Sequence, residues 1–291
     1  MISFEPKEVT PQELQGYLQT AVAPRPIAFA STLDSEGNPN LSPFSFFNVF
    51  SSNPPIVVFS PARRVRNNTV KHTLLNVQDN GEVVINIVNF AMVQQVSLAS
   101  TEYADGVNEF EKAGFTMIPS DNIKPFRVAE APVQMECKVQ QIIALGDEGG
   151  AGNLVICEVV KMHVSKEVLG SDGKIDQHKI DLVSRLGGNW YSRANAGLFE
   201  VEKPLTTLGI GVDNIPMEIR NSEILDGNDL GKLGNIEVLP TQEEINIFVT
   251  QSFKVKGVLS ADDITAKHQK AKDYLNNNDV LSAWKVLLAT K

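Results

Sequence analysis

The sequence predicts a mainly β protein with helices, a small antiparallel barrel with helical decoration followed by a partly helical extension. The first observation behind this is element order. Strands, a helix, a strand, a second helix and a long hairpin follow one another, without the regular βαβ alternation of a doubly wound sheet. The second is two-residue periodicity, with Val83, Ile85 and Ile87 on one face of one run and Val133, Met135, Cys137 and Val139 on one face of another. The third is a change of texture near residue 200, after which strand-like runs give way to helical stripes.

Taken in order, residues 7–20 suit one leading helix, with Thr10 as N-cap and Pro11 in its first turn. Residues 26–33 read as a strand, and Asp34-Ser35-Glu36-Gly37-Asn38 is hairpin-turn chemistry. Residues 40–47 and 56–60 read as two further strands, broken by Asn53-Pro54-Pro55. Residues 68–78 look helical, with Asn68 as cap and Gly81 as stop. A strand at 82–88, a helix at about 90–100 and a short helix around EFEKAG come next. Two strands then flank the glycine-rich turn Gly146–Gly152 and make a long hairpin, the second of them running over 154–164. Beyond residue 200 three helical segments are expected, with capping boxes at Thr241–Glu244 and Ser260–Asp263. Ile264, His268, Ala271 and Leu275 share one face, as do Leu281, Trp284 and Leu288, and both stripes read as packing surfaces.

The chain has 291 residues, 42% hydrophobic, with a formal net charge of -9. That balance argues against a nucleic-acid binder, which shows a basic face. No apolar run approaches the roughly 20 residues that span a bilayer, and no basic and apolar leader opens the chain, so no membrane association and a cytoplasmic location are expected. Cys137 and Cys157, each inside a strand-like run, are expected to be buried reduced thiols. The four histidines are scattered without HExxH or CxxC spacing, so no metal site is expected. P-loop, dinucleotide and Gly-x-Ser-x-Gly signatures are missing as well.

What stands out is charge distribution. No Asp or Glu occurs between Glu36 and Asp79, whereas Arg63, Arg64, Arg66, Lys71, His72 and Thr73 all fall in that gap. This is either a basic loop paired with acids elsewhere or an anion site, where cations, a hydroxyl and helix N–H groups converge on a phosphate. Upstream, Ser42, Ser45, Asn48, Ser51 and Ser52 alternate with Phe44, Phe46, Phe47 and Phe50. At least two of these phenylalanines are expected in the core. A flavin ring suits such a mixture, an apolar wall with neutral donors along its edge, but composition alone does not choose flavin over another aromatic phosphate such as pyridoxal phosphate.

The stretch PRPIAFASTLDSEGNPNLSPFSFFNVFSSNPPIVVFS (24–60), with KHTLLNV (71–77), VVINIV (83–88), STEYADGVNEFEKAGFTMIPS (100–120), APVQMECKV (131–139), GNLVICEVV (152–160) and RLGGNWY (185–191), closely resembles the flavin reductase-like proteins. The resemblance covers roughly residues 20–195, so the chain divides into a domain at 1–198 and an extension of unknown role at 199–291. It implies a six-stranded antiparallel FMN-binding split barrel, a homodimer with FMN at the interface, and electrons passed from NAD(P)H or a protein donor to free flavin, a monooxygenase or another redox partner. By motif, Ser45, Phe46, Phe47 and Asn48 should line the isoalloxazine, and Ser60, Lys71, His72 and Thr73 should hold the phosphate. Asn153, Arg185, Asn189 and Tyr191 are candidates for the substrate or nicotinamide side. No catalytic side chain is expected, because the flavin carries the chemistry.

Two positions depart from the family pattern. His72 stands where the family usually has aspartate. Gly152-Asn153 stands where some flavin reductases carry a histidine and flavoredoxin-like members do not. A non-catalytic FMN-binding carrier or sensor is therefore the alternative reading.

Overall fold

The computed structural model describes residues 1–104, 106–201, 203–252, 255, 257 and 263–290, which separate into two compact units, Met1–Phe199 and Glu200–Lys291. In the first unit, helix α1 (Pro11–Ala21) starts as expected: the Thr10 hydroxyl accepts from the Glu13 N–H, and Glu13 reaches back to the Thr10 N–H. Strands β1 (Ala28–Leu33), β2 (Pro39–Phe44), β3 (Phe47–Ser52) and β4 (Pro55–Phe59) follow. After α2 (His72–Asn80) come β5 (Glu82–Ile87), α3 (Val93–Leu98), α4 (Glu109–Ala113) and the short pair β6 (Met117–Ile118) and β7 (Arg127–Val128). Next is the long hairpin of β8 (Val133–Ala144) and β9 (Asn153–Val164), then α5 (Gln177–Ile180) and the hairpin of β10 (Val183–Arg185) and β11 (Tyr191–Arg193). Asn68 is not the cap of α2. Lys71 occupies that position and supplies no side-chain cap, while Gly81 closes the helix at φ 66°.

One antiparallel sheet of seven strands, in the order β2-β1-β5-β8-β9-β4-β3, organises this unit. The expectation of six strands is one short because residues 40–47 are not a single strand. The chain leaves β2 at Phe44 and enters β3 at Phe47, with only Ser45 and Phe46 between, and these two strands are opposite edges of the sheet. Three Cα steps cover at most about 11 Å. Six strand spacings in a flat sheet would hold the edges roughly 29 Å apart. The sheet must therefore curl until its edges nearly meet, which makes it a split barrel.

Strand alternation feeds two cores. Ala28 and Ala30 of β1 point into the barrel with Val83, Ile85, Cys137, Val155 and Phe59, where small side chains leave room for the closure. Phe29 faces the other way and packs with Leu41, Val96 and Phe110 beneath α3 and α4. Phe44 is buried and meets Phe59 at 5.4 Å between ring centroids, and Phe47 packs against the same core. Phe46 and Phe50 are exposed, so two of the four phenylalanines serve packing.

Polar staples also hold the barrel. The buried Glu136 carboxylate accepts from the Asp121 and Asn122 N–H groups at 2.9 and 2.7 Å and pairs with His163 at 2.7 Å. Burial would raise its pKa, but those bonds prevail and hold it below the usual value. Asp121, Glu136 and His163 have ligand atoms within 4.8 Å of one another. Lys161 bonds the Asp121 carboxylate and Arg127 flanks Glu136, so this group fits a tie between a loop and the sheet better than a cation site.

The second unit is helical. Its core gathers Ile219, Leu233, Ala271, Leu275 and Trp284, and the Trp284 Nε1–H donates to the Leu233 carbonyl at 3.0 Å. The Thr241–Glu244 capping box is present. Ser260 lies outside the described residues, while Asp263 accepts from the Thr265 and Ala266 N–H groups. His268, Ala271 and Leu275 of the expected stripe are buried, whereas Ile264 is exposed. Among the described residues no helix is long and apolar enough to cross a membrane.

Both cysteines are buried as free thiols. Burial pushes Cys157 up to about 12 and raises Cys137 as well. At pH 8 a thiol reagent such as Ellman's should find no reactive cysteine in the native protein and two after denaturation. Fast reaction of either thiol without denaturant would contradict this packing.

Candidate functional site

The two-residue crossing creates a cleft of about 560 Å³. Its walls come from the end of α1 and the segment after it (residues 21–26), from the crossing and the start of β3 (Ser45–Asn48, Phe50), and from Val58, Ser60 and Leu154. The Ser60 N–H donates to the Phe46 carbonyl at 2.8 Å, tying the crossing to the end of β4. Gly152 abuts Ser60: a Cβ on it would lie 2.7 Å from Ser60 Oγ, so a larger residue there would turn that hydroxyl away. Volume and lining suit a small aromatic ligand, since binding pockets run from about 300 to 1,000 Å³ and are mostly apolar with few polar groups. Among the described residues no carboxylate lines the cleft.

Five of the eight residues expected to hold a cofactor, Ser45, Phe46, Phe47, Asn48 and Ser60, therefore meet in one cleft. Lys71, His72 and Thr73 line a second cavity of only about 20 Å³, together with Ser42, Arg64, Glu102 and Glu109. The acid-free stretch is thus shared between two cavities. They are linked through the end of β2 and the crossing, because Ser42 borders one and Ser45, three residues on, borders the other.

In the small cavity the Thr73 hydroxyl is buried and accepts from the Asn40 amide at 2.9 Å. Lys71 Nζ sits 5.6 Å from the centre of the Phe44 ring. Burial, and then the Arg64 charge, lower the Lys71 pKa, while Glu102 and Glu109 act in the opposite sense. Burial raises the Glu109 pKa despite the hydrogen bond it accepts from the Leu41 N–H at 3.0 Å. The arginines just upstream of Lys71 are engaged. Arg64 and Arg66 both pair with Glu102, and Arg63 donates to Asn68.

The remaining candidates lie elsewhere. The Asn153 amide is buried and donates to the Pro61 carbonyl at 2.9 Å, bracing the strand behind the cleft. Arg185, Asn189 and Tyr191 line a third cavity of about 370 Å³ with Phe90 and Arg193, and the Arg185 guanidinium stacks 4.6 Å from the Tyr191 ring centre. The structure does not bring these three into the cleft. A residue that sequence reasoning missed does border it: Arg25, buried and directed at Ser45. Its signal was its position between two prolines at the junction of α1 and β1.

The model of the flavin reductase like domain matches residues 21–179, over half of the chain. An uncharacterized protein of Halalkalibacterium halodurans is 35% identical over 205 residues, covering 70% of this chain and 97% of its own. Among solved structures, nitrilotriacetate monooxygenase component B from Bacillus cereus is 31% identical with a TM-score of 0.64, over 70% of this chain and 98% of that one. The 2-nitrobenzoate 2-nitroreductase of Pseudomonas fluorescens is 27% identical with a TM-score of 0.61, over 72% and 100%. The two solved structures share the overall fold of the matched part of this chain. The chain belongs to the flavin reductase-like family.

Glu109 gives a pH test with a defined sign. A carboxyl whose folded pKa is raised above the ordinary 4.5 binds protons more readily when folded. Its contribution therefore erodes as pH rises from the unfolded value through the folded one. Glu109→Gln should gain stability relative to the wild type across that window and hold a constant difference beyond it, read by urea denaturation from pH 4.5 to 7.5. A variant that loses ground as pH rises would instead make Glu109 a needed ionic partner of Lys71.

Proposed function

We propose that this chain is an FMN-dependent oxidoreductase of flavin reductase-like type, taking electrons from NAD(P)H or a protein donor and passing them to free flavin or a redox partner. The observation that carries the reading is the cleft at the β2–β3 crossing, lined by no carboxylate among the described residues, with exposed aromatic surface from Phe46 and neutral donors from Ser45, Asn48 and Ser60. The ring would lie against Phe46 and Phe47. The phosphate end would reach toward Ser60 and the start of α2, where Lys71, His72 and Thr73 bring charge and helix N–H groups that no side chain caps. Thr73 would contribute its N–H there, since its hydroxyl is already bonded. Bound FMN supplies hydride and electron transfer; the chain binds, orients and shields it.

Asn153, Arg185, Asn189 and Tyr191 are proposed only as residues behind or beside that site. Homodimerisation is supported by β3, an edge strand that leaves Val49 and Phe50 exposed. Sedimentation at twice the chain mass is expected, and a monomer at micromolar concentration would count against a dimer. The nearest rival is an FMN carrier without turnover, favoured by the Gly152-Asn153 pair.

The purified protein should bind FMN and turn yellow; a protein that stays colourless with added FMN would sink both readings. Anaerobic mixing with NADH or NADPH separates them, because a carrier bleaches only with a protein reductant. Ser45→Ala should weaken FMN binding by about three- to tenfold, the worth of one neutral hydrogen bond. Turnover at saturating FMN should survive. Lost turnover at full occupancy would assign Ser45 a direct part in the chemistry.

A further inference from the structure

Arg25 is buried, yet among the described residues no carboxylate pairs with it. Its Nη1 donates to the carbonyls of Gln19 and Val22, the latter at 3.0 Å, and Nη2 donates to Leu186 at 3.0 Å. Nε points at Ser45 Oγ, 3.5 Å away, and the guanidinium lies 5.9 Å from the centre of the Phe46 ring. Gln19 and Val22 end α1, so the partial negative charge of a helix C-terminus offsets some of the cation. Burial, and then the like charge of Arg185, lower its pKa, but an arginine stays protonated regardless. A buried cation without a counter-ion is costly to keep, and a fold that keeps one beside a cleft gains when the missing negative charge arrives with a ligand.

We propose that Arg25 is a potential-setting residue, whose unpaired charge stabilises the negative charge that a flavin in this cleft gains on reduction. The proposal rests on the flavin-binding reading above. Reduction by dithionite at neutral pH delivers two electrons, and the ring takes one proton from water, so the bound flavin ends one charge more negative. A fixed positive charge favours that state over the oxidised one, most strongly where water is excluded. The plain alternative is a clamp: three carbonyls from two elements converge on one guanidinium, and Arg25 would then serve packing alone.

The test uses the full chain and compares dissociation constants for oxidised and dithionite-reduced FMN, with the two-electron potential read against a redox dye. The wild type should bind reduced FMN at least tenfold more tightly than oxidised FMN, which places the bound potential about 30 mV or more above that of free FMN. Arg25→Gln should lose at least tenfold of that preference. Arg25→Lys, which keeps the charge but not the planar fork, should retain it within about threefold. Equal weakening of both oxidation states in Arg25→Gln would make Arg25 a clamp and overturn the proposal. Should Arg25→Gln fail to fold, the wild type and Arg25→Lys decide: oxidised FMN bound as tightly as reduced by the wild type, or a preference lost in Arg25→Lys, overturns it equally. A chain that binds neither FMN nor FAD in any state removes the flavin reading itself, a result distinct from bound flavin without preference.

Discussion

Everything in the first unit depends on the passage of the chain across the sheet in two residues. Phe44 ends one edge strand and Phe47 begins the other, so Ser45 and Phe46 must bridge edges that a flat sheet would hold far apart. Closure draws the α1–β1 junction, the end of β4 and the start of β9 to one place. Small residues at Ala28 and Ala30 permit the tight interior, and the Phe44–Phe59 contact fills it at the crossing. The cleft is the remainder of that closure. Its position in the fold is set by backbone geometry before any polar side chain is considered.

Charge is sorted around this closure in a way that matters for ligands. The arginines nearest in sequence to the crossing are satisfied locally, two by Glu102 and one by Asn68. Lys71 shares a tight chamber with Glu109, where burial pushes the pKa of each toward its neutral form. Among the described residues lining the cleft Arg25 alone carries charge, and its partners are carbonyls. A cleft whose described lining has one cation, aromatic surface and no carboxylate favours a neutral or anionic planar ligand over a cationic one.

The helical unit at Glu200–Lys291 has its own core around Trp284 and its own caps, including Asp226 with Asp229 and Thr241 with Glu244. Lys272 bonds both Asp226 and Asp229, at 3.0 and 2.6 Å, which pins the helix Ile264–Asn276 to the start of Gly227–Gly234. Its structure is thus accounted for by local capping and by burial of one apolar face per helix.

By itself the sequence determined the local elements. Thr10 and Glu13, Gly81, the alternation in β5 and β8 and the Gly146–Gly152 turn act over a few residues, so their physics is readable in order along the chain. The shared motifs likewise carried the family, and they singled out Ser45–Asn48, which meet in one cleft. Only the tertiary structure decided the rest. That Ser45-Phe46 is a crossing and not the middle of a strand depends on which strands pair, and pairing is a matter of contacts hundreds of atoms apart. The separation of Lys71, His72 and Thr73 from Ser60, the third cavity around Arg185, and the isolation of Arg25 all follow from it. Residues near in sequence were parted because sheet closure sets distances that chain order does not encode, while Arg25 came beside Ser45 through the β1–β2 register, which sets Ala28 opposite Phe44.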